Sequence, residues 1–122
     1  MTGRYGEVSA GWKRLFVVAA LFNALVGLAG MLVPEATVDG RIIGLLIFAF
    51  GVIYFQVSTD PLRYGPVLWA GVLGKLGVVA LLAPGEFGEG GNWVIQAVLT
   101  ADALLAIAFL AFLFRTGDSG RE

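Results

Sequence analysis

The chain has 122 residues, 58% of them hydrophobic and 14% charged, with a formal net charge of −1 at pH 7 and a mean hydropathy of +0.87. Soluble domains carry about 25% charged residues, so this composition implies an integral membrane protein of one domain, and with no basic excess it offers nucleic acid no surface. The absence of cysteine and histidine excludes disulfides, thiol catalysis, His-ligated haem and most zinc or copper sites, along with the commonest general base near neutral pH.

Four apolar stretches are long enough to cross about 30 Å of hydrocarbon as helices, which takes roughly 17–25 residues. The first, residues 12–33, is longer than the apolar core of a signal peptide and is followed by no small-x-small cleavage site, so it reads as a retained helix. Ala20, Asn23, Gly27 and Gly30 share one of its faces. A turn at residues 34–39 leads to the second span, residues 40–57, where Gly44 and Gly51 lie two turns apart. In the next linker Asp60 is placed as an N-cap with Pro61 at the first helical position. Pro66 then implies a short interfacial turn before the third span, residues 67–83, along which Gly71, Gly74 and Gly77 step. The glycine-rich segment 84–91 is expected to be the most mobile loop. The fourth span, residues 93–114, carries a stripe of Ala97, Ala101 and Ala108. The tails, up to about residue 10 and beyond residue 115, read as polar and frayed. Small residues let membrane helices approach closely, and Trp12, Tyr64, Trp69 and Trp93 lie near the span boundaries as interfacial anchors. The expected fold is all-α, a single-domain antiparallel four-helix membrane bundle with short loops.

Orientation follows from lysine and arginine near the helix ends. Arg4, Lys13, Arg14, Arg63, Arg115 and Arg121 fall on one side, and Arg41 alone falls on the other with Glu35, Asp39, Glu86 and Glu89. Both termini and the loop around Arg63 are therefore expected in the cytoplasm, and a dual-topology dimer is disfavoured.

Three polar residues sit deep in the spans. Counted from the cytoplasmic ends at about 1.5 Å per residue, Lys75 lies roughly 12 Å in, Asn23 roughly 17 Å and Asp102 roughly 20 Å. Ionisable groups at that depth are costly and usually pair or line a polar path. The expectation is a buried network: the Lys75 ammonium on the Asp102 carboxylate, with Asn23 satisfying a leftover donor or acceptor. Such a pair serves either as a lock on helix register or as a protonation switch, in which Asp102 is neutralised and Lys75 changes partner. Tyr54, Gln56 and Gln96 lie nearer the ends, where reaching the headgroups explains them as well as a polar path does.

Asp60, Arg63 and Tyr64 form a candidate cytoplasmic contact. Capping, the positive-inside bias and interfacial anchoring explain the same three residues without a partner. With Asp60-Pro61-x-Arg63 followed by Gly71-x-x-Gly74-Lys75, residues 44–78 resemble small, uncharacterised bacterial four-span inner-membrane proteins. The resemblance implies their multi-pass topology and location and nothing catalytic. Small multidrug transporters carry their essential carboxylate on the first helix, where this chain offers only Asn23. The glycine-rich motif ending in arginine that marks the first helix of fluoride channels is absent too.

Three function classes follow. The first is a non-enzymatic membrane protein acting by contacts, as an accessory or scaffold subunit or a binder of a lipophilic molecule, with a membrane-protein partner or further copies of itself. The second is a proton- or ion-coupled transporter using Lys75 and Asp102. The third is a lipid-modifying enzyme with Asp102 or Glu35 as base, for which no nucleophile–base constellation is visible. No cofactor, metal or catalytic residue is expected.

Overall fold

The structure, a computed structural model, describes residues 9–121, with side chains to residue 116. Among these residues the chain is all-α, with no strand. It runs through α1 (Ala10–Leu32), α2 (Val38–Thr59), a one-turn α3 (Pro61–Tyr64), a 3-10 turn (Gly65–Val67), α4 (Leu68–Glu86) and α5 (Trp93–Arg121). Four segments are long and apolar enough to cross a membrane: Ala10–Leu32, Val38–Thr59, Pro61–Glu86 and Trp93–Thr116. Each coincides with an expected span. Of the residues used for orientation, Arg4 lies outside the described residues and the side chain of Arg121 is not among those described.

Local chemistry sets most helix ends. Thr37 caps α2, its Oγ1 accepting from the Gly40 amide at 3.0 Å, and Thr37→Ala is expected to cost about 1 kcal/mol, read as a lower unfolding midpoint in detergent. At the other end of that loop, Arg41 Nη1 donates to the Met31 carbonyl. A guanidinium there satisfies an orphan carbonyl and complements the negative end of the α1 dipole. Asp60 stands at the N-cap of α3 with Pro61 at the first helical position, as expected, but its side chain makes no cap bond. Its backbone carbonyl instead accepts from the Tyr64 amide at 3.0 Å.

Two helices run past their expected ends. α4 does not stop at Ala83 but continues through Pro84 to Glu86. Pro84 forfeits the bond its amide would have made to the carbonyl four residues back, but the turn beyond it still closes, the Phe87 amide donating to the Ala83 carbonyl at 2.9 Å. α5 continues through Arg115 to Arg121 where a frayed tail was expected. Extending a helix already formed needs no new nucleus, so polar residues suffice there.

The loop between α4 and α5 is correspondingly short, and its ends are tied. Asn92 caps α5, its Oδ1 accepting from Val94 N at 2.8 Å, while its own amide donates to Glu86 Oε1 at 3.0 Å. Gln96 Nε2 donates to the Glu86 carbonyl at 2.7 Å. Gly90, at φ +84°, takes the left-handed conformation that glycine adopts without strain.

The chain divides after Gly65 into two compact units. In the first, α1 and α2 form an antiparallel hairpin in near backbone contact. A Cβ added to Gly27 would lie 2.5 Å from the Gly44 carbonyl oxygen, and one added to Gly44 would lie 2.7 Å from the Gly27 oxygen. In the second, α4 and α5 form another antiparallel hairpin. Trp69 packs edge-on against Phe114 at 5.8 Å near one end, and the Glu86–Gln96 bond closes the other.

Candidate functional site

Lys75 and Asp102 meet in the second unit. Leu68, Gly71, Val72 and Lys75 are the buried residues of α4, at the spacing that places side chains on one helix face. On α5 the stripe Leu99, Leu105, Ala106 and Phe109 is buried, and Asp102 falls within its period. Lys75 Nζ donates to Asp102 Oδ1 at 2.7 Å, with only 5% and 13% of the two side chains exposed. The pairs Trp69–Phe114 and Glu86–Gln96 set the register of the hairpin. They put the residue level with Lys75 near Ile107 or Ala108, so Asp102 lies about five residues, roughly 8 Å, farther along the axis. The four-carbon lysine stem is long enough to cover that offset and reach the carboxylate.

No fully buried side-chain nitrogen or oxygen among the described residues lacks a hydrogen-bond partner.

Asn23 belongs to the first unit. It is buried on α1 and its Nδ2 donates to the Ile47 carbonyl of α2 at 3.1 Å. Tyr54, expected near the headgroups, is 1% exposed with its ring 6.1 Å from that of Phe50. Gln56 is exposed, and Gln96 is engaged by Glu86. Glu35, considered as a base, is exposed in the α1–α2 loop.

Asp60, Arg63 and Tyr64 share the exposed turn at α3. The Arg63 guanidinium lies 5.4 Å from the centroid of the Tyr64 ring, a cation–π distance, and no ion pair joins Arg63 to Asp60. Sequence reasoning missed the Arg41 contact with Met31; its signal was a basic residue within a short loop's reach of a helix C-terminus.

The glycines fall into two classes. Gly27, Gly44 and Gly51 sit against backbone of the facing helix, whereas a Cβ on Gly74 or Gly77 meets nothing within 4 Å. No protein-family model, no curated protein and no solved structure matches the chain.

Proposed function

We propose that the chain is a multi-pass protein of the bacterial inner membrane, with both termini cytoplasmic, that acts by contacts inside the bilayer rather than by catalysis. It would serve as an accessory or scaffold subunit or as the binder of a lipophilic molecule. Large apolar side chains point outward along the helices, Leu81 at 83% and Leu73 at 76% exposed, which suits lipid and not water. Lys13, Arg14, Arg63 and Arg115 against Arg41 support the orientation.

The observation that carries the contact reading is the outward side of α4. Ala70, Gly74, Gly77 and Leu81 recur at helical spacing on one stripe, away from the buried face of Leu68, Gly71, Val72 and Lys75. Glycine inside a helix costs about 1 kcal/mol relative to alanine, and among the described residues nothing lies within 4 Å of where a Cβ on Gly74 or Gly77 would sit. A surface of small residues is what a second helix or a flat lipophile approaches closely. Native mass spectrometry of the protein released gently from its own membrane tests this. A stoichiometric protein or lipophile should accompany the native chain and be lost from Gly74→Leu. A bare monomer in both would end the contact reading.

A second reading, proton- or ion-coupled transport by an oligomer, is supported by the buried Lys75–Asp102 pair. A bare homo-oligomer in the same experiment would move the weight to it.

A further inference from the structure

The cytoplasmic end of the first hairpin collects positive charge that pairs with no carboxylate among the described residues. Gly44 lies against Gly27 and Gly30, and Gly51 against Ala20 and Ala24. This antiparallel register puts Lys13 and Arg14 level with the last turn of α2, beside the α3 turn that carries Arg63. All three cations are exposed. The described carboxylate at this end, Asp60, pairs with none of them. Lys13 and Arg14 also stand in the opening turns of α1, where the first turn holds no acidic residue and positive charge opposes the helix dipole. Helix stability therefore does not account for them. Trp12, stacked on Phe16 at 6.3 Å, and Tyr64, under the Arg63 guanidinium, bracket the cluster with the aromatic residues that favour headgroup depth.

From this arrangement we infer that Lys13, Arg14 and Arg63 form a binding surface for the headgroups of anionic phospholipids in the cytoplasmic leaflet. The complementary charge is the lipid phosphate, and Tyr64 holds Arg63 on its ring with the guanidinium edge free to donate. The inference rests on the membrane-spanning reading and is independent of what contacts α4.

The full chain is reconstituted into nanodiscs of phosphatidylglycerol and phosphatidylcholine, and the lipids retained on purification are counted. The native protein should enrich phosphatidylglycerol. In Lys13→Gln/Arg14→Gln/Arg63→Gln, its apparent affinity should fall roughly a hundredfold, at about one kcal/mol per basic residue. Arg41→Gln, a charge removed from the opposite end, should keep the preference. Circular dichroism establishes that the variants remain helical; if the triple variant does not, the three single variants should each show a smaller loss. Equal retention of the two lipids by the native chain, or a preference that survives the substitutions, overturns the inference. Displacement of phosphatidylglycerol by millimolar inorganic phosphate would reassign the surface to a soluble anion. Failure of the chain to enter any bilayer would instead remove the membrane reading, and this inference with it.

Discussion

Lys75→Met is expected to destabilise the protein by about 3–5 kcal/mol, and Asp102→Leu by a similar amount, while the double variant recovers most of the loss. The reason is the asymmetry of a buried ion pair. Together the charges offset much of each other's desolvation, so exchanging both for apolar side chains of similar volume is nearly neutral. Removing one takes away the opposite charge that offset the other's burial, and the desolvation cost of the survivor is then felt. The 2.7 Å contact and exposures of 5% and 13% place this pair in that regime. Unfolding by increasing dodecyl sulfate in mixed micelles measures all three variants on one scale. If the double variant is as unstable as the singles, the pair is not what the buried stripes of α4 and α5 are organised around.

The same variants separate the two readings of the pair. As a lock, it is dispensable once both charges are gone, and the double variant keeps every partner contact of the native protein. As a coupling device it is not, because a proton or ion needs the carboxylate itself. Asp102→Asn then becomes informative: it keeps the shape, leaves an acceptor for Lys75 and removes the titratable oxygen. Proton flux into liposomes that is present in the native protein and absent in folded Asp102→Asn would establish coupling, and unchanged flux would leave the lock.

How much of this was legible in the sequence differs from residue to residue. The four long helices were, because span length and apolarity are set by composition alone. Their ends were less so, since Pro84 and the polar residues after Arg115 read as stops. A single proline removes only one bond of the ladder, and past Pro84 the Phe87 amide still finds the Ala83 carbonyl. Lys75 and Asp102 were legible as a pair because two ionisable groups deep in apolar helices have few other ways to be satisfied. The Asn23 bond to Ile47 O was not legible, because every helical turn offers a main-chain carbonyl without a side-chain signature. Gly74 and Gly27 look alike in the sequence; only the position of neighbouring backbone distinguishes a glycine that packs from one that does not.

That distinction gives the second large effect. Gly27→Ala is expected to cost about 3 kcal/mol, at the upper end of what overpacking costs, and Gly44→Ala nearly as much. The new methyl on Gly27 would sit 2.5 Å from both Gly44 O and Phe48 N, and on Gly44 it would sit 2.7 Å from Gly27 O. These are backbone atoms of the facing helix, so no side-chain rotation relieves the overlap and α1 and α2 must move apart along their shared seam. At Gly51 the nearest atom is Ala20 O at 2.9 Å, and the loss should be smaller. Gly74→Ala should change sign. With nothing within 4 Å of its Cβ, it meets no obstacle and gains helix propensity, up to about 1 kcal/mol. The dodecyl sulfate assay used for the ion pair reads the whole series, and a neutral Gly27→Ala would mean that α1 and α2 are not held at backbone contact. The opposite signs have a functional edge. A glycine retained where alanine makes the isolated chain more stable is explained by something outside the chain that needs the space. If Gly74→Ala raises stability while weakening retention of the accompanying molecule, that molecule lies against the outward stripe of α4.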